Sequence, residues 1–486
     1  MSAVPCRLMR RGVLNLPRSS PESKPVAEAI LLKDALEYHC FFREPELHNH
    51  LSHHVLAAYD LGATPSLLQK MYNDEAPKQR SIILNKDDMK IGVTTDNWTE
   101  YLGNEHAYYG YLNFFQERIK SVGVPDTLEK YIFSPLANKS SVGMLVRLMS
   151  GIVHPFIQIG YGLEFGSDLL VATGLAQTAV HQPHPAVIYD YNPSITDPDN
   201  NTKRSGPSVL ELLREVYDSA LLKPVPYDGS AILSTRIKDA VGDGRGEEIQ
   251  RICSRFQIAD NATEEEMNEK IKEFIWAAVL LLFSTGKEGH KPRLDFFLMH
   301  LVTSSIFLKT YVGVIRDTAN KAQLLRAYLS TIILFVMVRG RPRINANLTM
   351  HASDKVRPPL PTEVPYKVDE TSIGSPAQDD DYTPWPAFIE ASLYASDSHV
   401  LKTMRTLIYA AREYGDIPAE DVIGVYQKGT HQETHLGMAK VDGSLFVRAA
   451  GVLMNCMGWT THGQVAGDWD RSALGWEEAW LDEESL

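Results

Sequence analysis

Asp295-Phe296-Phe297-Leu298-Met299-His300-Leu301-Val302-Thr303-Ser304 is apolar at nearly every position and carries one imidazole at its centre. Continued to Ile315 with helical spacing, such a run reads as a helix buried on most sides, because a strand with one wet face would alternate. Glu264–Leu282 and Lys321–Val338 have the same character, and the three segments are expected to form a central bundle. The most apolar stretches, Phe274–Phe283 and Leu329–Val338, fall short of the roughly 20 residues that cross a bilayer and are followed by charges, so no membrane span is expected.

N-terminal to the bundle, helical patterns run over Ala29–Arg43, His50–Leu61 and Ser66–Tyr72, the last two divided by Gly62-Ala63-Thr64-Pro65. Tyr108–Ser121, Leu128–Phe133, Ser141–Gln158 and Val209–Ala220 follow, and Phe388–Tyr394 and His399–Tyr414 close the series. Strand-like alternation is scarce. The expected fold is therefore all-α: a single large, bundle-like helical domain over residues 27–486 with long proline-rich loops. Those loops are His181–Asp199, running on into the polar Asn200–Pro207, and residues 345–386 with the acidic run Asp379-Asp380-Asp381. Residues 1–26 carry four arginines among Pro5, Pro17 and Pro21 and are expected to be a flexible tail.

A length of 486 residues, with 44% hydrophobic and 22% charged, suits a folded protein with a sizeable core. The net charge of −13 speaks against nucleic acid as the main partner. Four dispersed cysteines form no CxxC pair, which suggests neither a zinc knuckle nor a disulfide framework and fits a reducing, cytoplasmic setting. A GxGxxG fingerprint, a P-loop, a GxSxG elbow and an HExxH motif are all missing from the sequence.

Chemistry is instead carried by histidines on apolar segments. His48-Asn49-His50-Leu51-Ser52-His53-His54 places His50 and His54 four apart on one helical face, which suits joint metal binding or one ligand with a supporting partner; a set of surface histidines is the alternative. His154 shares a face with Gln158 and Tyr161 if the helix survives Pro155, and Glu164 lies further along. His300 in its apolar helix needs both nitrogens satisfied, either by a metal and a hydrogen bond or by hydrogen bonds alone. His399 and Lys402 are i,i+3 neighbours at a helix start. A lysine desolvated there would be partly neutral and could take up carbon dioxide as a carbamate; alternatively its head reaches water.

His48–Gly62, His154–Phe165, Asp295–Leu308, His399–Arg405 and the terminal Gly475-Trp476-Glu477-Glu478-Ala479-Trp480, taken in that order, resemble the questin oxidase-like family of fungal polyketide pathways. The resemblance implies oxidative, Baeyer–Villiger-type cleavage of an anthraquinone ring with dioxygen, with NADPH as a possible co-substrate. It further implies a non-haem Fe(II) centre held by His50, His154, His300 and His399 with a carboxylated Lys402. Gln158, Glu164 and Tyr161 become candidate supporting groups, and Tyr161, Phe165 and Trp98 could stack on a flat substrate. With no dinucleotide fingerprint, NADPH would act on the quinone in solution or through a quinone reductase partner. His48, His53 and His54 stay unassigned, His54 being the substitute if one ligand is misplaced. Two other readings remain open: a hydrolase with a carboxylated lysine in a zinc centre, and a metal-free polyketide-binding protein whose histidines would be scattered.

Overall fold

The computed structural model describes residues 6–42, 47–190, 206–359 and 368–481. Among these the chain forms eighteen α-helices and no strand, only isolated bridges such as Phe41 with His48. The first seven are α1 (Ser23–Glu37), α2 (Leu51–Asp60), α3 (Pro65–Glu75), α4 (Tyr108–Leu128), α5 (Met144–Met149), α6 (His154–Phe165) and α7 (Asp168–Val180). Then come α8 (Val209–Asp218), α9 (Leu233–Val241), α10 (Arg245–Cys253), α11 (Glu264–Phe283), α12 (Phe296–Ser305), α13 (Leu308–Val314) and α14 (Thr318–Val338). The last four are α15 (Asn347–Met350), α16 (Trp385–Leu393), α17 (Ser398–Tyr414) and α18 (Leu445–Met457). The all-α reading holds.

The expected central bundle is present: α11, α12 and α14 pack on one another, and α17 joins them through α12. A second layer, α6 on α7 on α4, covers one side, and α2 bridges the layers by packing on both α6 and α17. Thr263 caps α11 with a reciprocal Glu266 contact, while Asp295 caps α12 through the Phe297 and Leu298 amides. The carboxylate of Asp295 also takes Arg339 Nε at 2.6 Å, tying the start of α12 to the end of α14. α14 is long and apolar enough to cross a bilayer, but 83% of its apolar window is buried inside the protein, where it serves as a core helix.

The segment read as one helix from Phe296 to Ile315 bends by 41° between α12 and α13. Ser304 and Ser305 there turn their hydroxyls back onto the carbonyls of Leu301 and Val302, which competes with the helix ladder and favours a bend. The segment read as one helix from Ser141 to Gln158 is also two, α5 and α6. Gly151, Ile152 and Val153 between them all adopt left-handed φ, 56°, 54° and 56°. Two β-branched residues in that region are strained and are held there by their surroundings.

The flexible-tail expectation is overturned for residues 6–22. Glu28 accepts from the Leu8 amide, Glu164 from Val13, and Asp60 from Leu14 and Asn15, so three buried carboxylates bind this backbone down. Gly12 passes so close that a Cβ would sit 2.0 Å from Asp60 Oδ1. Composition could not show this because the partners lie far along the chain. His181 and His184, expected at the start of a surface loop, are buried. Most of that loop, residues 191–205, lies outside the described residues, as do residues 1–5 and 360–367. The rest of 345–386 is irregular apart from α15 and the start of α16.

Candidate metal centre

The four histidines come from four different helices. His50 precedes the first turn of α2, His154 opens α6, His300 sits in the second turn of α12, and His399 lies in the first turn of α17. One ring nitrogen from each lies within 4.8 Å of all the others. His50 Nε2 and His154 Nε2 are 2.8 Å apart. Nitrogens bound side by side to one ion at ~2.1 Å would be about 3 Å apart, and opposite ones about 4 Å. The cluster therefore has the dimensions of a coordination shell, and the scattered-histidine alternative is not what the fold displays.

Pro155 falls in the first turn of α6, where its missing N–H costs nothing, so the helix survives it and begins at His154. The left-handed turn before it sets the direction of that histidine: His154 Nδ1–H donates to Gly151 O at 2.7 Å. His300 Nδ1–H donates to Phe296 O at 2.8 Å, and His399 Nδ1–H to Asp397 Oδ1 at 2.7 Å. Asp397 is itself held by Trp469 Nε1 at 2.7 Å. With Nδ1 occupied, each of these three rings presents the lone pair of Nε2 inward, the tautomer a metal requires. His300 Nε2 and His399 Nε2 are buried without any partner. A hydrogen bond alone thus does not account for His300.

Burial, followed by neighbouring positive groups, pushes His50, His154 and His300 well below the ordinary histidine range and His399 to about 4. All four are neutral donors at pH 7. Lys402, one turn beyond His399, is fully enclosed, its Nζ lacks a partner, and its head does not reach water. Burial brings its pKa down to about 7, against the opposing pull of the Asp397 and Glu75 carboxylates. Four neutral nitrogens beside a buried amine make a set that could hold a metal ion.

The sequence pattern of the questin oxidase-like family matches residues 47–407. The chain belongs to the questin oxidase-like family. Its relatives include the Baeyer-Villiger monooxygenase dmxR6 of Cryptosporiopsis sp. (strain 8999), 29% identical over 308 residues, 62% of this chain and 66% of the relative. The questin oxidase of Aspergillus fumigatus is 29% identical over 307 residues, 62% of this chain and 66% of that protein. Oxidoreductase AflY of Aspergillus parasiticus is 30% identical over 307 residues, covering 61% and 58%. The chain spans less than two thirds of the length of these curated relatives.

Among the other residues singled out in this questin oxidase-like chain, Gln158 is committed elsewhere: Ser52 Oγ donates to its carbonyl at 3.0 Å and its amide donates to Thr173 at 2.8 Å. Glu164 bonds the Val13 amide and pairs with Arg405, away from the histidines. Tyr161 stacks on His53 with ring centroids 5.3 Å apart and meets Phe307 edge-on. Phe165 packs near Tyr59 and Tyr161, whereas Trp98 belongs to a separate aromatic cluster with Tyr131 and Phe114. His48 stacks on His154 at 3.7 Å and shares a 2.7 Å hydrogen bond with His181. His54 is not in the four-nitrogen cluster and faces Glu75.

Four features at the site escaped the sequence reading: His181, Asp397, Glu75 and the Gly151–Val153 turn. Gly151 is needed because a Cβ there would lie 2.2 Å from His181 Nε2 and 3.0 Å from His48 Nε2. Asp397-Ser398-His399 did contain a signal, a helix-capping carboxylate two residues before a candidate ligand.

Proposed function

We propose that the chain is an oxygenase that cleaves the ring of an anthraquinone-type aromatic polyketide with dioxygen, using Fe(II) held by His50, His154, His300, His399 and a carbamate of Lys402. The convergence of four neutral imidazoles, three of them buried and with tautomers fixed from behind, supports this reading most directly. Bound Fe(II) supplies the spin-permitted path between triplet dioxygen and a closed-shell organic substrate. Asp397 holds His399, and Phe296 O and Gly151 O hold His300 and His154, so three donors are oriented before any ion arrives.

Lys402 contributes the one anionic oxygen. The neutral amine forms an N–C bond to carbon dioxide, one C–O π pair moves onto oxygen, and an N–H proton leaves to a base in solution. Four nitrogens and one oxygen would hold the ion and leave room for dioxygen or substrate. A Baeyer–Villiger-type outcome requires two external electrons for each oxygen atom inserted. NADPH would deliver them, directly to the quinone or through a quinone reductase.

The test is anaerobic reconstitution with Fe(II), metal analysis, and oxygen uptake with a panel of anthraquinones that starts with questin. One iron per chain and label from ¹⁸O₂ in a ring-opened product are expected. Iron-loaded protein that consumes no oxygen with any of them would sink the reading, as would zinc-loaded protein that hydrolyses esters or lactones anaerobically.

A further inference from the structure

α2 and α17 are pinned together at two levels. At one end the His50 and His399 rings are 4.6 Å apart; at the other, Arg405 Nε donates to Asp60 Oδ2 at 2.9 Å. Lys402 is three residues from both His399 and Arg405, so its side chain meets α2 between His50 and Asp60, the level of His53 and His54. Both of those rings are buried; neither nitrogen of His54 has a hydrogen bond, and His53 has only Gln158 beside it. Gln158, the amide next to His53, is already used by Ser52 and Thr173. After burial, Lys402 is the strongest electrostatic influence on each ring. Behind His54, Glu75 Oε1 stands 3.9 Å from Nδ1 and 3.7 Å from Lys78 Nζ.

Buried polar atoms left without partners at one level of a helix pair, both nitrogens of His54 and Lys402 Nζ, are a costly arrangement unless something completes them. The four histidine ligands do not explain it, since His53 and His54 lie outside their cluster. A single addition would serve one nitrogen of each ring: a carboxyl group on Lys402, which brings two acceptor oxygens to the level of the two imidazoles.

We propose that His53 and His54 are positioning residues for the Lys402 carbamate, that they donate hydrogen bonds to its oxygens, and that Glu75 orients His54 from behind. The inference rests on the carbamate reading of Lys402 and extends it to residues that touch neither the metal nor the aromatic substrate. The energetics favour it. A carbamate is reversible and loses carbon dioxide unless its anion is stabilised, and hydrogen bonds to a buried anion are the strong kind. With Glu75 accepting from Nδ1–H and the carbamate from Nε2–H, His54 is the imidazolium, its second proton held by the anions on its two sides.

The probe is ¹³C-bicarbonate with protein loaded with zinc, which is diamagnetic, and carbon NMR reads carbamate occupancy as bicarbonate is titrated. The parent should give one carbamate resonance that Lys402→Met abolishes. His54→Leu, His54→Gln and Glu75→Gln should each retain one zinc per chain, and the two His54 variants should need about tenfold more bicarbonate for half-occupancy. Glu75→Gln should fall between them and the parent. His54→Gln keeps most of the volume but loses the imidazole N–H, so it carries the test where His54→Leu fails to fold. Half-occupancy unchanged in both His54→Gln and Glu75→Gln, with the resonance present, would overturn the positioning role and leave the Lys402 carbamate standing. No resonance in the parent at any bicarbonate concentration would overturn both.

Discussion

Two buried polar clusters sit on the same three helices and have opposite characters. At one level, His50, His154 and His399 of α2, α6 and α17 meet, with His300 added from α12, and their inward nitrogens have little to bind. At the other level, Asp60, Glu164 and Arg405 of the same helices form an ion-pair triad. Asp60 takes Arg405 on one oxygen and both of its oxygens receive backbone amides, and only Glu164 Oε2 is left over. One cluster closes on itself and the other does not. The difference separates a staple, which completes its own hydrogen bonds, from a site, which waits for a ligand to complete them.

Breaking the staple should be the most damaging change. Arg405→Met leaves two carboxylates facing each other without their cation, and should cost about 3–5 kcal/mol in urea unfolding of the metal-free protein. It should also release the N-terminal segment, whose Val13–Asn15 amides depend on the same carboxylates, and limited proteolysis near Arg11 would show this. A loss below about 1 kcal/mol would mean that the triad is not what joins α2, α6 and α17.

The same operation at the open cluster should behave in the opposite way. His300→Leu removes a buried nitrogen without a partner, so the metal-free variant should match the parent within about 1 kcal/mol or exceed it. What it should lose is stabilisation by metal: about 2.7 kcal/mol in the parent with free ion at a hundred times Kd, and none in the variant. Equal metal-linked stabilisation of both proteins would remove His300 from the ligand set.

Lys402 and Arg405, one turn apart on α17, sharpen the contrast. Arg405 is held charged by two carboxylates, while Lys402 loses its proton near pH 7 when folded against an ordinary 10.5. Between those values the unfolded chain binds more protons than the folded one, so stability rises with pH through that window. In metal-free, carbon dioxide-free buffer the gain from pH 7 to about 8.5 should be about 2 kcal/mol, at 1.36 kcal/mol per unit. Lys402→Met should flatten this slope and should stabilise the protein at pH 7, where Arg405→Met destabilises it. An identical pH slope in parent and Lys402→Met would show that the amine reaches water.

How much of this was legible in the sequence follows from the range of the interactions. The helices could be read because apolar periodicity is local; the four histidines stood out because an imidazole in an apolar run is conspicuous, but only the family resemblance grouped them as one set. The break at Gly151–Val153 could not be read, since it depends on His48 and His181 packing from elsewhere; the one at Ser304–Phe307 had a local signal in Ser304 and Ser305 that apolar periodicity outweighed. Glu164 looked like a neighbour of the site because it shares α6 with His154. Three turns of helix separate the two, and its partner Arg405 lies 241 residues away in the chain. The N-terminal segment was misread for the same reason: its order is supplied by Glu28, Asp60 and Glu164.

The mildest test concerns Asp397, where the open cluster borrows a device of the staple, a carboxylate bonded to a nitrogen donor. Asp397 Oδ1 holds His399 Nδ1 and caps α17, while Oδ2 holds Trp469. Removing such a partner lowers metal affinity by about 10–100-fold. Asp397→Asn keeps the shape and one acceptor oxygen, which can still take the Nδ1 proton, so the loss should sit near the lower end, about tenfold or 1.4 kcal/mol. Asp397→Ala, with neither oxygen, should lie nearer a hundredfold and should also lose the α17 cap. Competition with a chromogenic chelator measures both. If the two variants bind metal equally well, Asp397 acts only as a helix cap and the orientation of His399 is set by Phe296 and Trp469, whose rings flank it at 5.3 and 6.5 Å.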